Sequence, residues 1–283
     1  MPGPAVAPTQ PATAHLVPAV DRAVRILHLL RGEARLWGIS ELARTLGLNK
    51  ATVRDILLTL EHHGLVERDA ATTRFRLGYG LYAFAGALRD GTDLVAVARP
   101  FLRALAERTG ETSLLALLDG DRVLILDKEE PPTDLKISAP IGRRLPLYAG
   151  SIGKVLLAAM EPAARDRWLA EHPPRRFTAR SVTDPAAYRA MLVAVARQGY
   201  ALDDEEYLDG VRAASAPIRG SAPGAVAALT VVGFSTRISE ERLAELAAAV
   251  ADAARQISWR LGAAPAATAP NGRANGHNEG QGA

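Results

Sequence analysis

Apolar residues fall at positions 20, 23, 24, 26, 27 and 30, a stripe with the period of an α-helix, so a helix is predicted over Val20–Leu30. A second helix is predicted over Ser40–Leu46, with Ser40 as its N-cap and Gly47 as its stop. A third is predicted to follow from the Asn49 N-cap to His63, ending at Gly64, a residue suited to a left-handed terminus. Leu65–Arg68 and Arg74–Leu77 then alternate around a polar turn, which predicts a β-hairpin. Tyr79–Leu88 is an apolar helix expected to join this block to the next.

The pattern changes after about residue 92. Helices are expected over Leu94–Thr109, Ser151–Ala159, Ala163–Glu171, Pro185–Gly199 and Glu240–Leu261. Strands are expected over Thr112–Leu118, Val123–Lys128, Leu135–Ala139, Gly210–Pro217 and Val226–Gly233. This mixture predicts an α+β domain with a largely antiparallel sheet. The expected division is a tail over 1–18, a first domain over 19–78, a joining helix over 79–91, a second domain over 92–262 and a tail over 263–283. The tails are rich in Pro, Ala, Thr, Gly and Asn and are expected to be disordered, since they carry too little apolar surface to offset chain entropy.

Residues 40–64 have the spacing of a helix-turn-helix. The small Ala43 suits the contact between the helices, Gly47 suits the turn, and Val53 and Ile56 dock the second helix on the first. With Val53, Ile56, Leu57 and Leu60 inward, the outward face centres on Ala51, Asp55 and Leu58, flanked by Thr52, Arg54 and Thr59. Lys50 and Thr52 fall in the first turn of that helix, close to where phosphates or base edges would lie. Arg74 and Arg76 share one face of the hairpin, opposite Phe75 and Leu77, and are expected to reach phosphate or minor groove. The candidate DNA-contacting set is therefore Ser40, Lys50, Ala51, Thr52, Arg54, Asp55, Thr59, Arg74 and Arg76.

Composition narrows the chemistry. The 283 residues include no cysteine, which excludes disulfides, thiolate nucleophiles and cysteine-ligated metals. Net charge is only +3, so nucleic-acid binding is allowed but not demanded. Of the six histidines only His62 and His63 are close in sequence, and neighbours on a helix diverge by about 100°, so no metal site is expected. No apolar run approaches the roughly 18 residues of a membrane span, and the N-terminus lacks the pattern of a secretory signal. A cytoplasmic location without membrane contact is expected, and no cofactor is implied.

The ordered run of segments VDRAVRILHLL (20–30), SELARTLGLNKATVRDILLTLEHHGLVER (40–68), FRLGYGLYAFA (75–85), APIGRRLPLYAGSIGKVLLA (139–158) and 179–218 resembles the IclR family of transcriptional regulators. The resemblance spans about 19–262. It implies a winged helix-turn-helix, a linking helix and a C-terminal effector-binding domain of GAF-like or profilin-like α+β fold. It also implies homodimers, often dimers of dimers on operator DNA. The family usually has an arginine where this chain has Asp55, and an aromatic or histidine where it has Arg54, so the resemblance carries the binding mode and not the base preference. A carboxylate at that position is repelled by phosphate but accepts a hydrogen bond from a cytosine amino group.

The same resemblance implies an effector pocket lined by Ile137, Leu145, Ser151, Ile152, Asp203, Val211, Ala213, Thr230 and Val232. Its polar members are Ser151, Asp203 and Thr230. The apolar Ile152, Ala213 and Val232 favour a compact, partly apolar organic acid, aromatic rather than a two- or three-carbon oxoacid. Its carboxylate is expected on Ser151, the first amides of the helix there and Thr230, with Asp203 accepting from a ligand hydroxyl. By residue pattern alone the acidic run 203–206 reads as a solvated turn after a strand. The reading that follows is a ligand-responsive repressor. Its rivals are an activator of the same architecture, an enzyme using Asp203 and Glu206 as acid and base, and a nucleoid-type binder without a ligand.

Overall fold

A computed structural model describes residues 16–31, 36–87, 94–220 and 224–263. They fall into two compact units that part between Gly91 and Thr92.

The first unit contains α1 (Pro18–Leu30), α2 (Ile39–Leu46), α3 (Lys50–His62), the antiparallel pair β1 (Val66–Arg68) and β2 (Phe75–Leu77), and α4 (Leu81–Ala87). One core closes it, formed by Ile26, Leu30, Leu42, Ala43, Val53, Leu57, Leu60, Val66 and Phe75. The Asn49 side chain accepts from Thr52 N at 2.7 Å, which starts α3 where expected. Gly47 (φ +67°) and Gly64 (φ +68°) end α2 and α3 in the left-handed conformation that glycine adopts without a Cβ clash. Trp37 adds a bridge to Phe75, so the hairpin gains a third short edge.

One expectation fails at the start of α2. Its N-cap is Gly38, not Ser40, and Ser40 is an exposed first-turn residue. Gly38 N donates to Glu41 Oε2 at 3.0 Å, so the third helical residue reaches back to the cap amide, the half of a capping box that needs no side chain at the cap. The apolar helix expected at Tyr79 begins at Leu81, after a turn, and Leu88 lies outside the described residues, as do 1–15 of the expected tail 1–18 and 264–283 of the expected tail 263–283; Pro18, placed in the first tail by composition, opens α1.

The second unit is built on a six-stranded antiparallel sheet of order β5-β4-β3-β8-β7-β6. Its strands are β3 (Thr112–Asp119), β4 (Arg122–Glu129), β5 (Arg144–Pro146), β6 (Ala201–Asp204), β7 (Val211–Arg219) and β8 (Ala225–Phe234). The helices are α5 (Leu94–Thr109), α6 (Gly150–Ala158), α7 (Pro162–Glu171), α8 (Pro185–Gln198) and α9 (Glu240–Arg260).

Strand alternation assigns the faces. Leu114 and Ala116 belong to the core shared with α6 and α8, while Leu115 belongs to the core shared with α5 and α9. The same split separates Ala213 from Ala214 and Val232 from Val231. Helix α9 buries Leu243, Leu246, Ala247, Val250, Ala253, Ala254 and Ile257, a 3–4 spacing laid over the alanines of β7. Its N-cap Ser239 accepts from Arg242 N, and Glu240 and Glu241 complement the helix dipole. Truncating Leu246, 1% exposed, to alanine would cost about 2–5 kcal/mol.

The expected strand at Leu135–Ala139 does not form. β4 pairs instead with β5, through Val123 opposite Leu145, so the chain between them leaves the sheet as a loop. The apolar alternation there reflects Ile137 and Ala139 facing a cavity, with Leu135 72% exposed. β5 and β6, too short to show a period, were missed by pattern.

Candidate functional site

In the first unit α3 presents Lys50, Ala51, Arg54, Asp55, Leu58 and Thr59 to solvent, with Thr52 half-buried. Val53, Leu57 and Leu60 face the core, so the register expected from the period holds. Arg54 Nε lies 3.4 Å from Asp55 Oδ1, and both side chains are well exposed. The Thr59 hydroxyl donates to Asp55 O at 2.9 Å and is turned onto its own helix.

The hairpin arginines are not free, as alternation alone suggested. Arg74 Nη2 donates to Glu41 Oε1 at 2.7 Å, and Arg76 Nη2 to Glu67 Oε2 at 3.1 Å. Glu41 thereby bridges the α2 start and the hairpin. The Gly38 amide and the Arg74 guanidinium hold its carboxyl below the usual range. Glu41, three residues after Gly38, was the sequence signal for this bridge.

In the second unit a cavity of about 160 Å³ opens between the α6 face of the sheet and the 137–145 segment. All nine positions implied by the family resemblance line it: Ile137, Leu145, Ser151, Ile152, Asp203, Val211, Ala213, Thr230 and Val232. Its polar wall is larger than those positions suggested, because Ser138, Arg143 and Tyr207 line it as well. Arg143 was legible, since it precedes the lining residue Leu145 by two in an extended segment. It makes no ion pair among the described residues. A volume near 150 Å³ accommodates a single benzene-sized ring.

Ser151 Oγ lies 2.8 Å from Ser215 Oγ, which lies 2.7 Å from Thr230 Oγ1. Three hydroxyl hydrogens serve two internal bonds, so this buried chain can turn one donor toward a ligand.

Asp203 is not in a solvated turn. It is 5% exposed on β6, opposite Ala213, while its neighbour Asp204 points outward to Arg180 and Arg212. Asp203 Oδ1 accepts from Glu206 N at 2.8 Å and pins the loop that brings Tyr207 and Leu208 to the cavity. Its Oδ2 packs on Gly150, the first residue of α6, where a Cβ would stand 1.9 Å from it. Burial pushes the Asp203 carboxyl up to about 6, against the pull of the Glu206 amide and of Lys154.

Lys154, 3% exposed, donates to Leu202 O at 2.7 Å and Glu206 Oε1 at 2.5 Å. Glu206 lines a separate, smaller cavity with Lys154 and Tyr188. Asp203 and Glu206 therefore do not face one ligand together, as an acid–base pair must. Among the described residues no cluster of three His, Asp or Glu could hold a metal, and no helix is long and apolar enough to cross a membrane.

Two family models match the chain. The IclR helix-turn-helix domain matches residues 19–70, and the bacterial transcriptional regulator IclR C-terminal domain matches 87–259. The chain is similar to the HTH-type transcriptional regulator BhcR of Paracoccus denitrificans, 39% identical over 86% of this chain and 87% of that one. It is 29% identical to the transcriptional repressor IclR of Escherichia coli over 92% and 94% of the two chains. Among solved structures it resembles an IclR homolog from Microbacterium hydrocarbonoxydans complexed with 4-hydroxybenzoate, with TM-score 0.72 and 28% identity over 86% and 98%.

Proposed function

Because the chain belongs to the IclR family of DNA-binding, ligand-responsive transcriptional regulators, and is not an enzyme, we propose that it is a repressor released or tightened on DNA by a small, partly apolar organic acid. The observation that carries this reading is the single cavity that gathers all nine expected positions in the α+β unit. Its apolar walls and ring-sized volume favour an aromatic acid over a two- or three-carbon oxoacid, which would leave most of the space unfilled. The Microbacterium homolog with its bound 4-hydroxybenzoate supports the ligand class, and the Escherichia coli relative supports repression.

Residues 19–78 serve as the DNA-binding domain, 79–91 as the link and 92–262 as the sensor, in a cytoplasmic protein. Lys50, Ala51, Thr52, Arg54, Asp55 and Thr59 of α3, with Ser40 and the hairpin arginines, form the DNA-facing set. The protein acts as a homodimer, since two recognition helices are needed to read half-sites one or more helical turns apart. The ligand shifts the population of dimer arrangements by binding one of them better.

The test is a thermal-shift screen of the purified protein against aromatic and aliphatic acids. Each stabilising compound is then titrated into a complex with a DNA site selected from a random pool. A compound that raises the melting temperature and changes DNA affinity supports the reading. Stabilising compounds that all leave DNA affinity unchanged, or are chemically converted, overturn it.

A further inference from the structure

The direction in which a ligand lies in the main cavity follows from where its charges already stand. Two lining groups of opposite sign reach the cavity from opposite edges of the sheet, Arg143 just before β5 and Asp203 on β6. The Asp203 carboxylate packs against the first residue of α6, close enough that only a glycine fits at 150. The start of α6 therefore already has an anionic oxygen packed beside it. A ligand carboxylate brought there would meet a like charge in a largely dry setting, where such repulsion is only weakly screened. Within the cavity the hydroxyl chain Ser151–Ser215–Thr230 offers one hydrogen and no charge. The 137–145 segment carries Arg143, an exposed guanidinium on the cavity wall with no carboxylate partner among the described residues. A guanidinium matches a carboxylate in a two-pronged geometry that a lone amide cannot.

We infer that the effector is a hydroxylated carboxylic acid bound end to end, with its carboxylate on Arg143 and its hydroxyl donating to Asp203. This rests on the effector-pocket reading above; it keeps the hydroxyl on Asp203 and moves the carboxylate to Arg143 from the α6 start, where the sequence reading places it. The apolar middle, Ile152, Ala213, Val211 and Val232, covers the ring or chain between the two polar ends. Asp203 then selects for the hydroxyl. An acid without it offers the buried carboxylate no donor in place of water, while an acid with it adds one. Arg143 selects for the anion, and being partly solvated it also draws the anion to the opening.

The experiment uses full-length protein and matched probes: a series of monocarboxylic acids with one hydroxyl, the same acids without it or as methyl ethers, and the hydroxyl compounds as primary amides. Affinities are measured by calorimetry for the native protein, Arg143→Met, Arg143→Lys and Asp203→Asn. The expected pattern is that the hydroxy acids bind tightest. Arg143→Met weakens them about ten- to hundredfold, Arg143→Lys restores part of the loss, and neither change affects the amides. Asp203→Asn erases the preference for the hydroxyl while leaving the preference for carboxylate over amide. Circular dichroism melts of each variant guard against a folding defect. Hydroxyl-free or neutral compounds binding as well as hydroxy acids, Arg143→Met binding carboxylates undiminished, or no acid binding at all would each overturn the inference. If such neutral compounds still change DNA affinity, the effector-pocket reading stands and only the orientation is wrong. If no compound changes DNA affinity, the reading itself has failed.

Discussion

Replacing Asp203 by asparagine is expected to stabilise the second unit at pH 8, although the side chain lies in the proposed binding site. The carboxyl is 5% exposed, and burial raises it from an ordinary 3.8 to about 6. A carboxyl raised on folding holds its proton more tightly in the native state. Its favourable contribution is complete below about pH 3.8 and is lost as pH rises through about 6. At about 1.4 kcal/mol for each tenfold change in proton affinity, the ionised group costs about 3 kcal/mol at pH 8. Asparagine carries no charge, and its oxygen can still accept from the Glu206 amide. The attraction of Lys154 for Asp203 is lost, but Lys154 keeps Glu206 and Leu202 O. The net gain is therefore about 1–3 kcal/mol at pH 8 and close to zero near pH 4. Urea unfolding of both proteins across pH 4–8 measures it, in a Trp37→Phe background so that Trp168 and Trp259 of the second unit report. With a slope of about 2 kcal/mol/M the midpoints should separate by about 0.5–1.5 M at pH 8 and converge as pH falls. Groups that titrate alike in both proteins cancel. A variant less stable at pH 8, or a midpoint difference that does not change with pH, would refute the reasoning.

Gly150→Ala should cost about 2–5 kcal/mol, from the positive φ of 52° and the overlap with Asp203, and should abolish effector binding; denaturant unfolding and calorimetry check both. Arg74→Ala and Arg76→Ala should weaken binding to all DNA sequences alike and lower the salt slope by about 1 each, while Glu41→Gln should raise non-specific affinity by freeing Arg74. Fluorescence anisotropy across a salt series decides this, and a changed base preference at unchanged slope would count against it. Asp55→Arg should move the preferred base at one position of each half-site and strengthen non-specific binding, read by selection from random DNA. Tyr79 in the turn before α4, and Tyr82 and Phe84 on it, are 73%, 74% and 64% exposed, so the protein should sediment as a dimer, and Tyr82→Ser with Phe84→Ser should weaken that dimer.

Much of the first unit is legible in the sequence. The cap at Asn49, the stops at Gly47 and Gly64, and the buried stripe of α3 depend on residues within about four positions of one another. So do the alternation of Leu114, Leu115 and Ala116 and the 3–4 spacing of α9. Short-range hydrogen bonds and side-chain periods leave marks in the sequence because the partners are neighbours along the chain. The cavity positions were a different case. They came from family resemblance, and no period in the sequence would have chosen them.

What tertiary structure decided lies between residues far apart. Leu135, Ile137 and Ala139 alternate like a strand, but β4 took β5 as its partner, and the segment became a cavity wall. Arg74 reads as a free wing charge until Glu41 arrives across the fold, and Arg76 until the hairpin register sets Glu67 opposite it. Asp203 read as one acid in a solvated run, and the sheet register alone turned it inward and its neighbour outward. Its raised proton affinity comes from burial among strands and helices, and the Lys154 that opposes that shift lies 49 positions away in the sequence. Sequence therefore determined which segments fold and which side chains they hide, while the electrostatics of the pocket was decided by packing, because burial is a property of everything that surrounds a group.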